Sequence, residues 1–143
     1  MKLNEFKTEY SFRKWFYEKE NYKKFPFINV NIHWIQEPIR IARLTNGNDS
    51  IGLVVFSQWD ENDMYISLFE IQKKYRRKGY GNKMINMLLE ENKPKLVLLE
   101  YCDEDSKKFW KSLGFHRRIK YAVEETEMYK KCSYKKINHE SRN

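Results

Sequence analysis

The stretch Leu68-Phe69-Glu70-Ile71-Gln72-Lys73-Lys74-Tyr75-Arg76-Arg77-Lys78-Gly79-Tyr80-Gly81 decides how this chain is read. It begins as the apolar end of a strand, passes through basic residues, and reaches two glycines that open a helix. From there Tyr80, Met84, Ile85, Leu88 and Leu89 recur at the spacing of one helix face. Glycine at such a junction lets the backbone approach a ligand closely. The first N–H groups of a helix have no partner inside it, and the helix dipole adds partial positive charge. Together these make a cradle for a pyrophosphate, and Arg76, Arg77 and Lys78 add formal charge around it. A dinucleotide-binding turn would want three glycines and an acid on a second strand. Only two glycines stand here.

Working outward, residues 39–44 alternate as a strand. Thr45-Asn46-Gly47-Asn48-Asp49 is a hairpin turn, because Asn-Gly accepts positive φ. Residues 51–59 return as a second strand, residues 60–63 turn, and residues 64–71 form a third, giving an antiparallel meander. Downstream, the helix over residues 79–91 stops at Asn92-Lys93-Pro94. The continuous apolar run 96–99 reads as a strand buried on both faces. Strand, helix and strand in this order predict a right-handed crossover between parallel strands. Asp103 or Asp105 can cap a further short helix, with Phe109, Trp110 and Leu113 inward and Gly114 as its stop. Residues 115–123 and 126–131 close the chain as a hairpin. At the other end, residues 11–24 read as a helix capped by Ser11 and ended by Phe25-Pro26-Phe27, and residues 28–34 alternate as an extended segment. The organisation expected is one domain: residues 1–38 an N-terminal helix and extended segment, 39–131 the core, and 132–143 a polar tail.

With 143 residues, 41% of them apolar, the chain can bury a core without metal or disulfide staples. Its net charge of +8 attracts phosphates, whether of nucleic acid, an anionic membrane or a cofactor. The charge is clustered: residues 73–83 carry six basic side chains and no acid, and so do residues 106–123. Two cysteines, Cys102 and Cys132, are too few for a disulfide framework. No apolar run approaches membrane-span length, and Met1 to Tyr10 lacks a signal-peptide pattern. The expectation is a cytoplasmic protein without membrane attachment. His33, His116 and His139 are isolated, so no metal site is expected.

The arrangement resembles the GNAT superfamily of N-acetyltransferases. Arg76-x-x-Gly79-x-Gly81 matches that family's R/Q-x-x-G-x-G/A signature. At the right distance, Asp103-x-x-Ser106-x-x-Phe109-Trp110-x-x-x-Gly114-Phe115 is similar to its N-x-x-A-x-x-F-Y-x-x-x-G-F. Met128-Tyr129-Lys130-Lys131 looks like its last strand. The resemblance spans residues 39–131. It implies a mixed α/β GNAT fold, with a mostly antiparallel sheet of six or seven strands and flanking helices. It also implies acetyl transfer from acetyl-CoA to a primary amine. Main-chain groups of Phe69, Glu70 and Ile71 would hold the acetyl-pantetheine arm in a splayed gap between two parallel strands. Backbone amides of Arg77, Lys78, Gly79, Tyr80, Gly81 and Asn82 would hold the pyrophosphate, and Phe109 would lie along the arm.

The chain departs from this pattern at its acid. Trp110 stands where the family has tyrosine; its indole N–H can hydrogen-bond a thiolate but not protonate it. Tyr101 is the substitute candidate, and its other reading is a packed sheet aromatic. Asp103 replaces asparagine and can accept a hydrogen bond from pantetheine, or cap a helix. Glu70 is favoured over Glu100 as base, because a desolvated carboxylate can be tuned towards neutral pH; its other reading is an ion-paired carboxylate, and a water chain can serve instead. Cys102 reads as a small buried hydrophobe rather than a nucleophile, since no histidine lies near it in sequence. Arg117, Arg118 and Lys120 read as a solvated hairpin face, or as ribose-phosphate contacts. A noncatalytic acyl-CoA-binding module and a basic nucleic-acid-binding protein are the rival readings. The acceptor would be a small amine or a peptide amine, and pairing into a homodimer would run through sheet edges.

Overall fold

The computed structural model describes residues 1–36, 38–117 and 126–134. Its strands are β1 Lys2–Glu5, β2 Arg40–Asn46, β3 Asp49–Gln58, β4 Asp63–Ile71, β5 Leu96–Glu100, β6 His116–Arg117 and β7 Glu127–Lys131. They form one sheet in the order β1-β2-β3-β4-β5-β7-β6. Every neighbouring pair is antiparallel except β4 and β5. The α-helices are α1 Glu9–Arg13, α2 Pro26–Asn31, α3 Tyr80–Asn92 and α4 Glu104–Ser112. The expected hairpin at Asn46-Gly47 is present, with Gly47 at φ 63°. The parallel pair is joined through α3, as strand, helix and strand in succession require.

The two faces of the sheet are covered differently. On one, α3 buries Met84, Ile85, Leu88 and Leu89, and α4 buries Trp110, against Val54, Phe56, Ile66 and Val97. On the other, Phe12, Phe16, Phe25 and Ile28 of the N-terminal segment pack on Ile41, Leu53 and Val55. Alternation along β3 sends Val54 and Phe56 to the first face and Leu53 and Val55 to the second.

Three local expectations need correction. Ser11 is not the cap of the first helix. Thr8 is: its hydroxyl accepts the Ser11 N–H at 3.0 Å, and Ser11 Oγ accepts the Thr8 N–H at 3.2 Å, a reciprocal capping box. Nor is residues 11–24 one helix. After α1 comes a π-turn over Lys14–Glu18, then Glu20 in the left-handed region at φ 58°, then a 3-10 turn over Asn21–Lys24. Asn21 closes that break by donating its side-chain amide to the Trp15 carbonyl at 2.8 Å. Residues 28–34 are helical, not extended: α2 starts with Pro26 at its first position and runs into a 3-10 turn over Ile32–Trp34. The apparent alternation of Ile28, Val30, Ile32 and Trp34 misled because Ile28 and Ile32 also lie one helical turn apart, while Val30 and Trp34 are simply exposed. The polar β1 carries no alternation either and went unforeseen; it adds to β2, and Arg40 pairs with Glu5 at 2.6 Å. Arg118, Lys120, His139 and the tail from residue 135 lie outside the described residues.

Candidate functional site

Beyond Ile71 the chain makes a 3-10 turn over Lys73–Tyr75 before it reaches the glycines. The β2–β3 hairpin holds this turn from beneath. The Gln72 N–H donates to the Ile51 carbonyl at 2.8 Å, its side-chain amide to the Ser50 carbonyl at 2.9 Å, and the Tyr75 hydroxyl to Asp49. Lys74 reaches Asp49 at 3.0 Å. These groups hold the Asp49 carboxyl well below the usual carboxylate range; the Tyr75 hydroxyl contributes most, and Lys74 and Lys24 add to it against the opposing effect of burial.

Arg77 then takes φ 62° and Gly79 φ 83°, both left-handed, and the chain bends into α3 with Gly79 as its N-cap. No side chain caps this helix, so its opening N–H groups are left for an external acceptor. A Cβ on Gly79 would meet nothing within 4 Å, so the space over it is open. Arg77, Lys78 and Asn82 are exposed around it, and Tyr80 is half-buried against Tyr75.

Next to the turn the sheet parts. β4 and β5 pair from Asp63↔Leu96 to Ile66↔Leu99, and residues 67–71 run on with no partner from β5. A bulge marks the point of divergence: Val55 faces Leu68 and Phe56 faces Ile66, which leaves Ser67 over. The extra residue shifts the alternation, so Phe69 and Ile71 join Met64 and Ile66 on the face covered by α3 and α4, while Leu68 turns to the other. Ser67 Oγ is buried and, among the described residues, has no hydrogen-bond partner. Sequence reading missed this residue, although the step from Ile66 to Phe69 breaks the two-residue rhythm and is the signal of the bulge.

The predicted site residues fall into groups around this gap. Phe69 stacks on Phe109 with ring centroids 5.5 Å apart and planes 14° from parallel. Both rings lie against Gly81, where a Cβ would come within 3.0 Å of Phe109 and 3.5 Å of Phe69. A side chain at the second glycine would therefore crowd its own neighbours. Trp110 is 5% exposed and surrounded by Phe69, Phe109 and Phe115. Tyr101 follows the end of β5, packs partly buried against the same core, and has Lys107 Nζ 5.5 Å from its ring. Asp103 caps α4 and accepts the Ser106 N–H at 2.7 Å. Ser106 Oγ in turn accepts the N–H groups of Cys102 at 3.0 Å and Asp103 at 3.2 Å. Cys102, expected to be buried, is instead exposed, because it lies in the link between β5 and α4, and its thiol is free of any disulfide.

Glu70 lies apart from Phe69 and Ile71. It turns to the face of the N-terminal segment and accepts the Ile28 N–H at 2.9 Å and the Phe27 N–H at 3.3 Å. Burial pushes its carboxyl above the ordinary glutamate value, and the two N–H bonds and Arg76 oppose that shift. Arg76 donates Nε to the Ile71 carbonyl at 2.9 Å and lies 3.5 Å from Glu70. Among the described residues no group of three or more histidines, cysteines and carboxylates could hold a metal, and no helix is long and apolar enough to cross a membrane.

No curated protein sequence is significantly similar to the chain. Solved structures share its fold at low identity. A crystal structure of Tetrahymena GCN5 has a TM-score of 0.69 at 15% identity, over 90% of this chain and 94% of that one. The ribosomal-protein-S18-alanine N-acetyltransferase from Escherichia coli has a TM-score of 0.62 at 16% identity, over 96% and 98%. A crystal structure described as AtaTR bound with AcCoA gives 0.56 at 14%, over 80% and 79%. The family model described as acetyltransferase (GNAT) family matches residues 4–115, which include the glycine turn, the parting strands and α4. On that match, and with a fold shared by those solved structures, this chain belongs to the GNAT acetyltransferase family.

Proposed function

We propose that the protein is an N-acetyltransferase that moves the acetyl group of acetyl-CoA to a primary amine. The observation that carries this reading is the uncapped start of α3 at left-handed Gly79, beside strands that part at Ser67. The residues present fit the coenzyme. N–H groups of Arg77 to Asn82 would meet a diphosphate, with open space over Gly79 and with Arg77 and Lys78 exposed around it. The edge of β4 freed from β5, at Phe69 and Ile71, would supply main-chain groups for the amides of the pantetheine arm, the Ile71 carbonyl sharing its lone pairs with Arg76 Nε. The Ser67 hydroxyl is buried and, among the described residues, unpartnered at the point where the strands part.

In the reaction the neutral amine nitrogen attacks the thioester carbonyl carbon. The carbon–sulfur bond breaks, an amide forms, and the sulfur leaves as thiolate to be protonated. Free β4 N–H groups would polarise the carbonyl. Tyr101, at the end of β5, is the proposed acid. The proton of the attacking amine passes to water, because Glu70 is engaged elsewhere. The parted strands serve a small amine and a peptide amine alike, and the fold does not choose between them.

The test is a thermal-shift titration with acetyl-CoA, followed by thiol release across a panel of small amines and peptide N-termini. A shift with amine-dependent thiol release is expected. The absence of any shift with acetyl-CoA would end the reading. A second reading, a coenzyme-binding module without turnover, is favoured by the burial of Trp110 at the position of the family's acid. It predicts the shift and no thiol release with any amine.

A further inference from the structure

Helix α2 begins without the usual means of satisfying its first turn. Its N-cap is Phe25, which has no side-chain acceptor, and Pro26 at the first position brings no N–H. The N–H groups of Phe27 and Ile28 come next and need acceptors. Both find Glu70, 43 and 42 residues further along the chain. An anion at the positive end of a helix is the favourable pairing. The carboxylate is sealed in place, its side chain 4% exposed, whereas the Arg76 side chain beside it is 49% exposed. Among the described residues, Arg76 is the one charged side chain within ion-pair distance of it. Arg76 is also the first residue of the basic glycine turn, tied back to β4 through the Ile71 carbonyl.

A general base must reach the proton it removes. Both oxygens of Glu70 accept backbone N–H groups at the start of α2, and its side chain is 4% exposed on the face away from Phe69 and Ile71, which argues against its meeting a substrate amine. We propose instead that Glu70 is a positioning residue, which clamps the start of α2 and the side chain of Arg76 to the unpaired stretch of β4. Through α2 it fixes the N-terminal segment against β4, on the face away from Phe69 and Phe109. Through Arg76 it holds the entrance to the glycine turn. The kinetic consequence rests on the acetyl-transfer reading; the structural one does not.

The test therefore has two arms, on the full chain. In the first, amide hydrogen exchange of Phe27 and Ile28 is followed by NMR without ligand in wild type, Glu70→Ala, Glu70→Gln and Arg76→Gln. Exchange at both amides rises about tenfold in Glu70→Ala, the scale of a lost helix cap. It rises less in Glu70→Gln and Arg76→Gln, while amides in the middle of α3, beyond the glycine turn, keep wild-type rates. Unchanged exchange at Phe27 and Ile28 overturns the proposal; should Glu70→Ala not fold, the other two variants decide it. In the second arm, Glu70→Gln raises KM for the amine several-fold and leaves the acid limb of the kcat/KM profile in place. A large fall in kcat with that limb abolished makes Glu70 the base and overturns the proposal. If wild type transfers no acetyl group to any amine, the transferase reading fails, and the exchange arm still judges Glu70.

Discussion

Gly79→Ala separates the needs of the fold from those of a ligand. Gly79 has φ 83° and ψ 4°, and a Cβ there would touch no atom of the protein within 4 Å. The cost to the free protein is thus only that of a left-handed alanine, about 1–2 kcal/mol. The smaller entropy of the unfolded chain offsets it by about 0.4–1 kcal/mol. The expected net loss is about 1 kcal/mol, a few degrees in Tm for a chain of this size. The new methyl group enters the open space where a diphosphate would approach. Losing one hydrogen bond to a charged group there costs about 1.5–3 kcal/mol, roughly 10- to 150-fold in Kd. At 100 times the wild-type Kd, acetyl-CoA should stabilise wild type by about 2.7 kcal/mol. A variant binding about 30-fold more weakly should gain only about 0.9 kcal/mol at that concentration. Differential scanning fluorimetry with and without acetyl-CoA measures both quantities. A small loss of Tm without ligand together with an undiminished ligand shift would refute the placement of the diphosphate. Wholesale unfolding of Gly79→Ala would refute the claim that the space above it is open.

The remaining predictions concern packing, an orphan hydroxyl and pH. Gly81→Ala should destabilise the fold by about 1 kcal/mol, since overpacking against Phe109 outweighs the helix propensity gained; urea denaturation showing a more stable variant would mean the Phe69–Phe109 stack yields freely. Ser67→Ala should raise stability by about 1 kcal/mol by removing a buried unpaired hydroxyl, and should lower the rate of thiol release; unchanged rate would leave Ser67 without a part in the chemistry. Asp49 has a depressed folded pKa, so its contribution is fully present above the unfolded value of about 3.9 and is lost as pH falls through the lower folded value. Wild type should accordingly lose stability below about pH 4 more steeply than Asp49→Asn, and parallel acid-unfolding curves would contradict the network with Tyr75 and Lys74.

What could be read in advance follows from how local each signal is. The hairpin at Asn46-Gly47, the apolar face of α3 and the continuous run of β5 depend on neighbouring residues, and the structure places them within a residue or two of expectation. The basic glycine turn was legible for the same reason, since helix start and glycine are adjacent in the chain. The partnership of Glu70 with α2 was not legible. It joins positions 42 and 43 residues apart, and nothing in Phe25-Pro26-Phe27 announces that its N–H groups will be met from β4. The same holds for Gly81, which reads as room for a ligand until Phe109 is found against it. Ser106 reads as a stand-in for alanine, yet its hydroxyl closes a capping box and also accepts from Cys102. At the N-terminus the alternation of Ile28, Val30, Ile32 and Trp34 suggested extension, and packing of Ile28 and Ile32 on one helical face prevailed.

The bulge at Ser67 has a bearing on solubility as well. Bare strand edges on the outside of a sheet recruit other chains and seed aggregation. Here the unpaired stretch from 67 to 71 lies inside the sheet order, with β3 bound along its other side and β5 and β7 beyond the gap. A hungry edge is kept where a foreign strand would first have to separate the sheet, while a slender amide-bearing molecule could lie along it as a surrogate strand.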